Sequence, residues 1–109
     1  MKLIDLEPRL FRLADINGDS ASLERVDSLA EAQGIRFVCP KCFVSNNGPI
    51  GTHYIICLFR DKGIPNNIMQ TIARWFVSGK DFSDLTLTPS ILLPDNCMWH
   101  GFITNGMIL

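Results

Sequence analysis

Neither sign of charge is in appreciable excess. Ten Lys and Arg stand against eleven Asp and Glu, a formal net charge of -1, and no block of like charge exceeds two residues. That removes the general basic field needed for non-specific DNA binding and the polybasic segment of a membrane-surface protein. No run of about eighteen apolar residues is present to span a bilayer. The opening segment, Met1-Lys2-Leu3-Ile4-Asp5-Leu6-Glu7-Pro8, lacks the apolar stretch of a signal peptide, so a cytoplasmic location and no membrane partner are expected. Repeats and low-complexity stretches are missing. So are a P-loop, a dinucleotide-binding glycine fingerprint, an H-E-x-x-H pair and a G-x-S-x-G elbow.

What remains is 109 residues, 47% of them hydrophobic and 19% charged, a composition suited to one small globular domain over residues 1–109. A domain of this size buries roughly two-thirds of its unfolded surface, so a cross-link would add usefully to its core. Four cysteines are available for one. In a reducing compartment they read as thiols or metal ligands rather than disulfides.

Turn-forming residues divide the chain at 15–22, 45–51 and 61–67. Ser28-Leu29-Ala30-Glu31 reads as a capping box, and Gly34 suits a left-handed position after a helix, which predicts a short helix over residues 28–34. Strands are predicted over 9–13, 35–38, 53–59, 72–77 and 85–88 from their β-branched and aromatic content. Residues 67–76 also fit helical spacing, leaving one helical turn before that strand as an alternative. Phe102-Ile103 and Met107-Ile108 flank Asn105-Gly106, the signature of a tight hairpin. The expected fold is mainly β (small α+β), an antiparallel sheet with one short helix, stabilised by a Cys₃His zinc site.

The zinc expectation rests on Cys39-Pro40-Lys41-Cys42 and Cys97-Met98-Trp99-His100. A C-x-x-C turn presents two thiolates to one side, and a C-x-x-H turn can present a thiolate and an imidazole nitrogen in the same way. Cys39, Cys42, Cys97 and His100 are therefore the expected ligands of a structural Zn²⁺. Four protein ligands would leave no open position for water. Residues 43–96 lie between the inner ligands, so closing the site would restrict the unfolded chain considerably. Cys57, without a nearby partner, reads as a packed core thiol.

Alternation places His53 on the face of Ile55, Cys57 and Phe59, at the start of an apolar stripe. It can be an edge histidine, a replacement for one of the four ligands, or a proton shuttle beside a three-ligand metal, the one weak catalytic candidate. Ser90 could act as a nucleophile only with a base nearby in space. Trp75 and Trp99 read as packing rather than base-stacking platforms, and Asp81 and Asp84 straddle a turn.

Taken in order, Phe37-Val38-Cys39-Pro40-Lys41-Cys42, Gly51-Thr52-His53, Arg74-Trp75 with Ser78-Gly79, Leu85 to Ile91, and Cys97-Met98-Trp99-His100-Gly101-Phe102-Ile103-Thr104-Asn105-Gly106 carry a resemblance. Over about residues 27–109 the chain resembles a family of small uncharacterised proteins encoded largely by tailed phages and prophages, some labelled ammonia monooxygenase. The resemblance implies a zinc-binding domain, with Cys39, Cys42, Cys97 and His100 matching the family's metal pairs and His53 its intervening histidine. An oxygenase needs a redox metal with open positions, which a thiolate-rich tetrahedral set does not offer. Phe43 stands where a small residue often follows the second knuckle cysteine, a departure that could loosen the knuckle turn without removing its ligands. The expected function is that of a non-catalytic binding or phage accessory module acting on a host protein. A zinc-dependent hydrolase with His53 near the metal is the alternative, and a nucleic-acid-binding zinc knuckle the second. Only Lys41 is basic within either ligand pair, while residues 81–95 carry three acids and no Lys or Arg. A patch of Arg36, Arg60, Arg74 and Lys41 would change that balance.

Overall fold

The computed structural model describes residues 1–69, 73–93 and 97–109. Eight strands form one sheet: β1 (Arg9–Asn17), β2 (Ser20–Val26), β3 (Gly34–Val38), β4 (Tyr54–Phe59), β5 (Arg74–Ser78), β6 (Thr86–Leu92), β7 (His100–Thr104) and β8 (Met107–Ile108). Their order is β2-β1-β3-β4-β5-β6-β7-β8. Neighbours are antiparallel except β4 and β5, which pair in parallel through Leu58 with Arg74 and Phe59 with Trp75. Among the described residues the one α-helix is α1 (Pro40–Ser45). The mainly β class with a single short helix is as the sequence indicates.

The helix sits elsewhere than the capping signal suggested. Residues 29–31 make only a single 3₁₀ turn, and the Ser28 side chain makes no capping hydrogen bond. Gly34 is the first residue of β3 rather than a left-handed cap. Its missing side chain admits the Phe11 ring, because a Cβ there would lie 2.3 Å from Phe11 Cζ and 2.9 Å from the Cys57 carbonyl oxygen. Close packing, not positive φ, is the reason for this glycine. The stretch 15–22, expected as a loop, is instead the end of β1, a tight turn at Gly18-Asp19 and the start of β2. Ladder pairing from Leu10 with Val26 to Ala14 with Ser22 overrides the weak local propensity of its polar residues. Arg74 opens β5, and the part of the predicted strand at Ile72, with the end of the optional helical turn, lies outside the described residues.

Alternation sends Leu10, Ile35, Phe37, Ile55, Cys57, Phe59, Leu87 and Ile103 to one side of the sheet, where with Trp75 and Trp99 they form the main core. Leu3 and Leu6, both fully buried, cover it from the N-terminal segment. That segment joins the far edge, with the Leu3 amide donating to the Gly106 carbonyl at 2.8 Å and Lys2 bridging Met107. It thereby links β8 back towards β1. The Asn105-Gly106 hairpin forms as expected, with φ values of 48° and 72°. A smaller cluster of Phe11, Leu58, Ile64 and Ile68 packs under the 61–69 loop on the other face. Arg74 fastens that loop, donating to the carbonyls of Ile64 at 2.9 Å and Pro65 at 2.7 Å. No helix of the described residues is long and apolar enough to cross a membrane.

Candidate metal centre

The site forms where β3 ends and β4 begins. Cys39 follows the last residue of β3 and His53 precedes the first of β4, and the Cys39 amide donates to the His53 carbonyl at 2.9 Å, extending the ladder by one rung. Cys39 then serves as the N-cap of α1, with Pro40 in the first turn, where its fixed φ suits a helix start. The Phe43 amide closes the turn on the Cys39 carbonyl at 2.9 Å. One helical turn therefore brings Cys42 back beside Cys39. Phe43 packs against the main core.

The connection between β6 and β7 supplies Cys97. Lys41 Nζ donates to the Cys97 carbonyl at 2.7 Å, tying that loop to α1, and the Leu93 amide donates to the Trp99 carbonyl at 2.9 Å across its base. Trp99 is buried and meets Phe37 edge to face at 6.4 Å. Trp75 is likewise buried, its indole donating to the Ser90 carbonyl at 3.2 Å. Both tryptophans pack, as their sequence context indicates.

Four donor atoms converge, from Cys39, Cys42, His53 and Cys97, all within 4.8 Å of one another. Cys39 Sγ lies 3.2 Å from Cys97 Sγ, and Cys97 Sγ lies 3.5 Å from His53 Nε2. These separations far exceed the roughly 2.05 Å of a disulfide. A tetrahedral ion with bonds of about 2.3 Å to sulfur and 2.0 Å to nitrogen would set its donors about 3.5–3.8 Å apart. The Cys97–His53 separation already matches that geometry, and the Cys39–Cys97 pair reaches it by opening about half an ångström. Cys39 is buried and the other three half-buried, so the site is lined by core on one side and reaches the surface on the other.

The cluster separates its thiols electrostatically. Burial pushes the Cys39 thiol up to about 12, with the neighbouring Cys97 and Cys42 thiols acting in the same direction and the Cys42 and Lys41 amides opposing it. Desolvation also acts to raise Cys97, but hydrogen bonds from Cys39, His53, the Trp99 amide and Cys42 outweigh it and hold this thiol down to about 6. A ready thiolate at Cys97 beside the less acidic Cys39 is a suitable starting point for a metal that displaces the remaining proton.

His100 does not join the cluster. It lies exposed on β7, with Nε2 3.0 Å from Ser90 Oγ and its ring 6.3 Å from that of Phe102. In the donor cluster His53 occupies the place that spacing alone gave to His100. The reason is topological: His100 begins β7 opposite Leu92 and is committed to the ladder, whereas His53 abuts Cys39 through backbone pairing. Cys57 is fully buried in the core, away from the site, and burial pushes its thiol far up. Asp81 and Asp84 close a turn, where Asp84 Oδ1 accepts from the amides of Lys80 and Asp81. Lys41, Arg60 and Arg74 each donate to a backbone carbonyl.

No protein-family model matches the chain, and neither a curated protein nor a solved structure matches it. The four-residue donor cluster is thus the feature from which function is argued.

Proposed function

We propose that the protein is a zinc-stabilised, non-catalytic binding module, with Cys39, Cys42, Cys97 and His53 as the ligands. The convergence of three thiols and an imidazole within 4.8 Å carries the reading. Soft thiolates with one imidazole favour Zn²⁺, and a full set of four protein ligands makes a structural rather than a catalytic site. The ion would fasten α1 and the β6–β7 connection to the β3–β4 edge, segments far apart in the chain. The resemblance to phage and prophage zinc-binding proteins accords with this, and a protein of the host is the partner such an accessory module would engage. Cobalt substitution tests it. The Co²⁺ form should have an intense tetrahedral visible spectrum that azide leaves unchanged, whereas a spectrum altered by azide would reveal an exchangeable position and overturn the closed site.

A second reading, a hydrolase, is supported by the Ser90 to His100 distance of 3.0 Å, which supplies the nearby base that Ser90 would require. Against it, no carboxylate bonds to His100 among the described residues, so nothing there orients the imidazole as a triad does. Covalent labelling of Ser90 by a fluorophosphonate, lost in His100→Ala, would favour this reading over the first.

A further inference from the structure

The sheet face turned away from the main core carries an unusual concentration of arginine. Arg9 of β1 is paired directly opposite Arg36 of β3, and Arg25 of β2 stands opposite Phe11, two residues along β1 from Arg9. Alternation puts all three on one face, since their neighbours Leu10, Val26 and Ile35 point into the core. Together with Leu10, Phe11 and Leu23 they line a shallow pocket of about 120 Å³. Like charges directly opposite one another weaken a sheet. None of the three is in an ion pair: the only one among the described residues is Arg12 with Glu24, which project to the other side of the ladder. Arg36 is held in place instead by the Tyr54 ring, its Cζ 4.3 Å from the ring centroid.

We infer that Arg9, Arg25 and Arg36 form a binding site for a phosphoryl group. Three guanidinium groups offer planar, forked donors that match several oxygens of one oxyanion, and a dianion would remove the repulsion between Arg9 and Arg36. The pocket is smaller than the sites that enclose drug-sized molecules, so it takes the phosphoryl group and leaves the rest of the ligand outside. That group can belong to a small phosphate compound or to a polynucleotide backbone. The site is separate from the metal ligands, and its test does not depend on theirs.

Calorimetric titration of the full purified chain with inorganic pyrophosphate at low salt tests the site. Wild type should bind, and Arg9→Gln and Arg36→Gln should each weaken binding by about tenfold or more, as expected for loss of a charged hydrogen-bonding partner. Arg12→Gln should bind as wild type does. In phosphate-free, low-salt buffer Arg9→Gln should melt no lower than wild type, because it relieves a repulsion, and added pyrophosphate should raise the melting temperature of wild type and Arg12→Gln more than that of Arg9→Gln. A labelled short oligothymidylate displaced by pyrophosphate would assign the phosphoryl group to a polynucleotide; pyrophosphate binding without oligothymidylate binding would assign it to a small compound. Absence of pyrophosphate binding, equal binding by all the variants, or a lower melting temperature for Arg9→Gln would each overturn the inference.

Discussion

Cys39 and His53 are tied by backbone before either side chain meets a metal, because the Cys39 amide donates to the His53 carbonyl at 2.9 Å at the end of the β3–β4 ladder. Two of the four donors are thus positioned by sheet register alone. The other two arrive on short attachments, Cys42 on α1 and Cys97 on a loop held by Lys41.

The two histidines should consequently behave differently. His53→Ala should lower the bound zinc below one equivalent and lower the melting temperature, while His100→Ala should retain zinc and lose only an exposed hydrogen bond to Ser90. Metal analysis after dialysis against a mild chelator distinguishes them. Cys39→Ser should be more severe than either, since structural zinc can contribute on the order of 10 kcal/mol to folding.

Cys57 provides the contrast among the thiols. It is fully buried with no side-chain hydrogen-bond partner among the described residues, so Cys57→Ser should bury an unsatisfied hydroxyl at a cost of about 1–3 kcal/mol and leave zinc content unchanged. Because burial pushes its thiol far up, alkylation at neutral pH should spare Cys57 until the protein unfolds, which peptide mass mapping reads directly.

At Gly34 the prediction follows from contact distances. Gly34→Ala would force its methyl into the Phe11 ring and against the Cys57 carbonyl, and should cost about 1–3 kcal/mol in urea unfolding. Joint substitution with Phe11→Leu should recover part of that loss if the ring is the principal obstacle.

The strand pairs and the Asn105-Gly106 hairpin were legible in the sequence because alternation and turn chemistry are local signals. The three thiols of the donor cluster were legible from their spacing for the same reason. The choice between His53 and His100 was not, since it depends on which histidine the sheet register brings to Cys39. Gly34 misled because a glycine required for close packing looks the same in sequence as one required by a helix end. The β1–β2 extension was hidden by polar residues whose strand state comes from cross-strand pairing, and the opposed Arg9 and Arg36 lie too far apart in the chain for any motif to join them.

Asp84 gives a dependence on pH with a definite sign. Its carboxylate accepts from the amides of Asp81 and Lys80, which lowers its pKa in the folded chain. The stability it adds is therefore present above the unfolded value of about 4 and is lost as pH falls through the lower folded value. Wild type should exceed Asp84→Asn in urea midpoint at pH 6, and the difference should shrink towards zero in acid. A difference that stays constant with pH would assign the effect to something other than the carboxylate.

The proposed zinc centre is tested most directly by X-ray absorption at the zinc edge on the purified chain after zinc loading. Three sulfur neighbours at about 2.3 Å and one imidazole nitrogen at about 2.0 Å, with the imidazole scattering lost in His53→Ala and kept in His100→Ala, is the predicted result. Fewer than three sulfur neighbours, or an imidazole signal that persists in His53→Ala and vanishes in His100→Ala, would contradict the assignment of Cys39, Cys42, Cys97 and His53 as its ligands.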